Sequence, residues 1–167
     1  MESTTPNDAI QVDGATRTFQ QWASAQDEYS RLYQSLAGAQ AEAYSSASER
    51  LMNAQKDYTS QLSNLNEELL GRYREAHSTF ASKIQDATSR SALPQDEEAY
   101  KEFGRVLAAL QEEFRSRAEQ YHKDLTQAAE QAQRDYHFYN RTAYRKYLED
   151  QRTFWSRLDI ESLIPSD

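Results

Sequence analysis

The sequence predicts an all-α protein: an elongated antiparallel helical hairpin, a coiled coil with eleven-residue repeats that dimerises into a four-helix bundle. Three observations carry this expectation. Apolar residues return with steps of three, four and four through most of the chain. Proline is absent from two long stretches rich in strong helix formers. One proline-marked break near 90–95 separates two periodic segments of comparable length.

The chain has 167 residues, which favours one domain, but it holds only 4 glycines and 3 prolines and its mean hydropathy is −0.98. That balance suits a narrow helical core better than a thick globular one. The formal net charge is −8, shared evenly between the two halves, so no global attraction for nucleic acid or anionic lipid is expected. Without cysteine there is no disulfide, thiolate metal site or cysteine nucleophile. No stretch approaches the roughly 20 apolar residues of a membrane span, and the N-terminus has no hydrophobic signal core, so a cytoplasmic location is expected.

Taken in order, residues 1–14 are small, polar and proline-interrupted, and read as a flexible N-terminal segment. The hairpin is expected over 15–158. Its first helix carries the stripe Tyr29, Leu32, Leu36, Gln40, Ala43, Ala47, Leu51, Ala54, Tyr58, Leu62, Leu65, Leu69, Tyr73, Ala76, Phe80, Ile84 and Ala87. This beat averages about 3.67 residues per turn, which keeps the stripe on one side of a nearly straight helix. At the break, Pro94 disfavours helix at Leu93, and Asp96, Glu97 and Glu98 place negative charge on the positive end of the next helix. The second stripe runs Ala99, Phe103, Leu107, Leu110, Phe114, Ala118, Tyr121, Leu125, Ala129, Ala132, Tyr136, Asn140, Ala143, Tyr147, Gln151, Phe154 and Leu158.

A short connection favours antiparallel neighbours. Folding about it pairs Tyr73 with Leu110, Leu69 with Phe114, Leu65 with Ala118, Leu62 with Tyr121, Ala47 with Tyr136, Leu36 with Tyr147 and Tyr29 with Phe154. Some of these layers set large against small, which lets side chains interdigitate. Ala43 with Asn140, and the polar Gln40 and Gln151, are weaker layers. Because each helix of a hairpin buries only one stripe, a homodimer or higher homo-oligomer is expected.

Beside the stripe stand Tyr33 and Tyr44 on the first helix and Tyr144 and Trp155 on the second. Equivalent flanking positions of an antiparallel pair share a side, so these four form one patch near the open end. They either widen the intramolecular core or form a dimer or partner surface. The tail, 159–167, carries Ile160, Leu163 and Ile164 among acids; it either caps the open end or docks as a short peptide in a partner's groove.

Residues 136–157 interleave aromatics with Arg141, Arg145, Lys146, Arg152 and Arg157. Such a pattern suits stacked bases or a lipid interface. Glu149 and Asp150 stand one turn after Arg145 and Lys146, however, which favours a solvated, ion-paired helix face and makes nucleic acid an unexpected partner. Glu119 and His122 form a lone Glu-x-x-His without the second pair a di-iron bundle needs, and no phosphate loop or nucleophile elbow is present. No metal, cofactor or catalytic residue is expected, and the chain reads as a non-catalytic structural protein.

The aromatic start at 18–22 (TFQQW), the Ala/Gln/Ser/Glu-rich amphipathic helices without cysteine and the polar break before a final coiled-coil segment resemble a phasin, one of the helical proteins that coat bacterial polyester granules. The resemblance spans about 18–155 and is one of composition. It implies self-association and binding to hydrophobic inclusions. Two functions follow: a scaffold or adaptor acting through self-association and protein contacts at the open end or tail, or a phasin-like amphipathic coat on hydrophobic inclusions or lipid surfaces.

Overall fold

The computed structural model describes the backbone of residues 6–89 and 93–158, and the side chains of 14, 16–89 and 96–158. Two helices make up these residues, α1 (Pro6–Ser89) and α2 (Leu93–Arg157), and no strand occurs among them. They pack as a helical hairpin. The first helix starts earlier than the sequence suggests, taking in most of the segment expected to be a flexible lead-in. Proline at the first helical position explains the start: it sacrifices no intrahelical hydrogen bond there and its φ is already helical. Gly14 and Gly38 lie within α1, each a cost of about 1 kcal/mol relative to Ala that a long helix absorbs.

The chain divides into two compact units. One, here the hairpin unit, is Ser48–Ala132; the other, the terminal unit, combines Met1–Ala47 with Gln133–Asp167. In both, contacts move down α2 as they move up α1, so the helices run antiparallel. Every one of the nine buried hydrophobic side chains falls on the two stripes: Leu36, Ala43, Leu65, Leu69, Ala87, Ala99, Leu110, Ala132 and Phe154.

The hairpin unit closes around Leu65, Leu69 and Leu110, with Val106 and Tyr121 packed against them. Leu65 is the most enclosed large side chain, 1% exposed. Toward the break, Phe80 stacks on Phe103 with ring centroids 4.8 Å apart, and Tyr73 adds a third ring. Charged pairs cross between the helices along one flank. Arg72 Nη1 lies 2.6 Å from Glu113 Oε2, Arg117 Nη1 lies 2.9 Å from Glu68 Oε2, and Lys83 pairs with Glu102. Arg117 also donates to the Tyr121 hydroxyl at 3.2 Å, tying the charged flank to the core edge.

The terminal unit closes with rings rather than leucines. Tyr29 meets Phe154 at 5.9 Å, the pairing the stripe predicts, and also Trp155 at 6.1 Å; Tyr44 sits edge-on to Tyr136 at 6.4 Å. A crossing ion pair, Arg157 to Glu28 at 2.6 Å, flanks this unit too. Some stripe positions remain open in the structure: Leu51, Tyr73 and Phe114 are each about two-fifths exposed, and Tyr29 scarcely less. Two helices cover a stripe from one direction only, so residues at its margin stay wet unless something else packs on them.

Candidate functional site: the aromatic flank of the terminal unit

The positions that flank the stripe place Tyr33 and Tyr44 on α1, eleven residues apart, and Tyr144 and Trp155 on α2, also eleven apart. All four are open: Tyr33 is 62%, Tyr44 66%, Tyr144 51% and Trp155 51% exposed. They do not widen the buried core. Three of them keep a ring contact within it or beside it. Tyr44 leans on Tyr136, Tyr144 on Tyr147 at 6.3 Å, and Trp155 on Phe154 at 5.0 Å and Tyr29 at 6.1 Å. Ile160, Leu163 and Ile164, the other expected contact residues, lie outside the described residues.

Beneath the rings is a polar layer. Gln151 Nε2 donates to the hydroxyls of Tyr29 and Tyr147, each at 3.3 Å, and those hydroxyls are 3.5 Å from one another. The hydrogen bond with Tyr29 pushes the Tyr147 hydroxyl above the usual tyrosine range, aided by burial and by the charges that Tyr29, Tyr144 and Tyr33 would carry. Gln151, a weak layer by sequence, is satisfied in this way. Asn140 is not: its Oδ1 is buried without a hydrogen-bond partner.

Next to Asn140 a cleft of about 540 Å³ is lined by Gln40, Asn140, Arg141, Tyr144 and Arg145. Cations cluster on this stretch of α2. Arg141, Arg145, Lys146 and Arg152 are exposed and form no ion pair among the described residues, so the expected pairs of Arg145 with Glu149 and Lys146 with Asp150 are absent. Residue order accords with this for Arg145 and Lys146, although Glu149 precedes Arg152 by three residues in the favoured order and does not pair with it either. In each one-turn pair that does form, Glu68–Arg72, Glu97–Lys101, Glu112–Arg115 and Glu113–Arg117, the acid precedes the base. That is the favourable polarity on a helix, and Arg145–Glu149 and Lys146–Asp150 have the reverse.

A second groove, about 300 Å³, lies in the hairpin unit between Arg72, Phe80, Lys83, Glu102, Phe103 and neighbours. Its cations are already neutralised, Arg72 by Glu113 and Lys83 by Glu102. Among the described residues no group of three or more His, Cys, Asp and Glu is gathered as a metal site would require, and no helix is long and apolar enough to cross a membrane. The terminal unit's flank is thus the most distinctive surface: rings with a polar underlayer, bordered by unpaired arginines. Comparison with models of known families, with curated proteins and with solved structures finds no match to this chain.

Proposed function

We propose that this chain is a non-catalytic helical scaffold or adaptor that self-associates and binds a protein partner through the aromatic flank of its terminal unit. The observation that carries the reading is the exposure of two rings on each helix at equivalent positions flanking the stripe, Tyr33 and Tyr44 on α1, Tyr144 and Trp155 on α2. Tyr, Trp and Arg are the residues that most often anchor protein interfaces, and here they are held by a hydrogen-bonded layer that limits the entropy lost on binding. Self-association falls to the half-open stripe of the hairpin unit, where Leu51, Tyr73 and Phe114 offer the apolar margin that a second hairpin would cover in a four-helix bundle. The eleven-residue beat suits a coiled-coil seam of this kind.

Light scattering tests both halves. The chain is expected at twice its 19.3 kDa mass, and Tyr144→Ala/Trp155→Ala should leave that mass unchanged, since the flank is reserved for a partner. A single-chain mass at all concentrations would remove self-association, and dissociation of the double variant would reassign the flank to the dimer.

A second reading, an amphipathic coat of the phasin kind, is favoured by the large exposed rings outside the flank, Phe19, Trp22 and Phe138. There the stripe would open onto a hydrophobic surface. Flotation of the purified chain with hydrophobic droplets, beside a control without droplets, distinguishes the two: a scaffold stays in solution.

A further inference from the structure

We infer that the partner held by the aromatic flank is an acidic helical segment of another protein, seated over Tyr33, Tyr44, Tyr144 and Trp155 with its carboxylates on Arg141, Arg145 and Arg152. The inference rests on the reading of that flank as a protein-contact surface and adds the chemistry of what it contacts.

The charge pattern is the first argument. In a chain of formal net charge −8, three exposed arginines stand on or beside one flank without an ion pair among the described residues. Arg141 and Arg152 each lie three residues before an exposed ring, Tyr144 and Trp155, which places cation and ring as neighbours on the helix surface. Arg141, Tyr144 and Arg145 line the same cleft. In the sequence no carboxylate stands one turn from Tyr33, Tyr44 or Tyr144, whose neighbours at that spacing include Arg141; Asp159, four residues after Trp155, lies outside the described residues. The crossing pair Glu28–Arg157 neutralises one further cation of this unit.

Symmetry is the second argument. A two-fold dimer contact sets the same patch against itself. Here it would oppose Arg141, Arg145, Lys146 and Arg152 with their own copies, outnumbering Glu149 and Asp150 between them, so a second copy is a poor occupant.

Width is the third. Arg141 to Arg152 covers eleven residues, roughly 16 Å of helix. Past its two ends Asp27 and Glu49 are exposed on α1, while Glu149 lies inside it. A nucleic acid or an anionic bilayer presents phosphates well past the strip and would meet those carboxylates. A single acidic helix lies within it, its apolar side on the rings and its carboxylates on the arginines, as amphipathic helices fill grooves between two others.

The test is fluorescence anisotropy of the full chain with a labelled helical peptide of about 20 residues built from Glu and Leu. A matched Lys/Leu peptide, oligothymidylate and phosphatidylserine vesicles run beside it. The Glu/Leu peptide is expected to bind in preference to the other probes. Arg141→Gln/Arg152→Gln should weaken it about tenfold, as should Tyr144→Ala/Trp155→Ala, with circular dichroism unchanged. Equal binding by the arginine variant, tighter binding to oligothymidylate or vesicles, or no binding of the peptide overturns the inference. Light scattering of the same samples keeps the scaffold reading separate: a retained dimer with no peptide binding rejects the acidic partner alone, and masses that grow without limit in wild type but not in Arg141→Gln/Arg152→Gln reveal copies of this chain as the occupant.

Discussion

The hairpin unit and the terminal unit are built from the same two helices and the same periodic stripe, yet they are held in different ways. The first closes on Leu65, Leu69 and Leu110 and neutralises its flanking charges across the helices. The second closes on Tyr29, Tyr147 and Phe154, tolerates Gln40, Asn140 and Gln151 on its stripe, and leaves arginines unpaired. Leucine packing is dispersion and water release without direction; ring and amide layers are directional and wetter. The difference teaches that one periodic stripe can be closed in two ways, by undirected aliphatic packing or by directional ring and amide contacts.

The contrast breaks most visibly under a buried charge. Leu65→Asp should cost more than about 4 kcal/mol and abolish cooperative melting by circular dichroism, because the site has neither solvent nor a partner for a carboxylate. The same change at Leu36, in the terminal unit and more open, should cost clearly less. Equal losses would erase the distinction between the units.

A smaller effect sharpens it. If the buried Oδ1 of Asn140 weakens the terminal unit, Asn140→Leu should raise stability by about 1 kcal/mol in denaturant melts. A fall would mean that Asn140 fixes the packing arrangement, as single polar residues do in coiled coils.

The smallest effect concerns the charged flank of the hairpin unit. The hydrogen bond from Arg72 holds the Glu113 carboxyl below the usual glutamate range, with Arg117 assisting and burial opposing. A carboxylate depressed on folding stabilises the protein above its unfolded value and loses that contribution as pH falls through the folded one. The melting temperature should therefore drop between about pH 5 and pH 3, and drop less in Glu113→Gln. Identical profiles would show that this exposed bridge adds nothing to stability.

Much of the fold was legible because the stripe reports burial directly: all nine buried hydrophobic residues lie on it, and Tyr29 meets Phe154 as the pairing requires. The stripe says less about its own margins. Leu51, Tyr73 and Phe114 have the right period but lie where one partner helix cannot cover them. The exposed rings of the candidate site were also legible, from their place one step off the stripe. Apolar periodicity does not report the crossing ion pairs, whose signal lies elsewhere: Glu28 with Arg157, Glu68 with Arg117, Arg72 with Glu113 and Lys83 with Glu102 have residue numbers adding to one total. One-turn spacing alone does not fix an ion pair either: Arg145–Glu149 and Lys146–Asp150 have base before acid, and Glu149–Arg152, with the favoured order, also stays apart.

The arginine strip also has a kinetic consequence. An acidic partner approaching an acidic chain is repelled at long range and attracted only once it reaches the flank. At low ionic strength the repulsion reaches far and encounters are slow; near 0.1 M salt the screening length shrinks to about 10 Å, comparable with the strip itself. For an acidic partner of the kind inferred above, moderate salt should therefore speed arrival before higher salt shortens the stay.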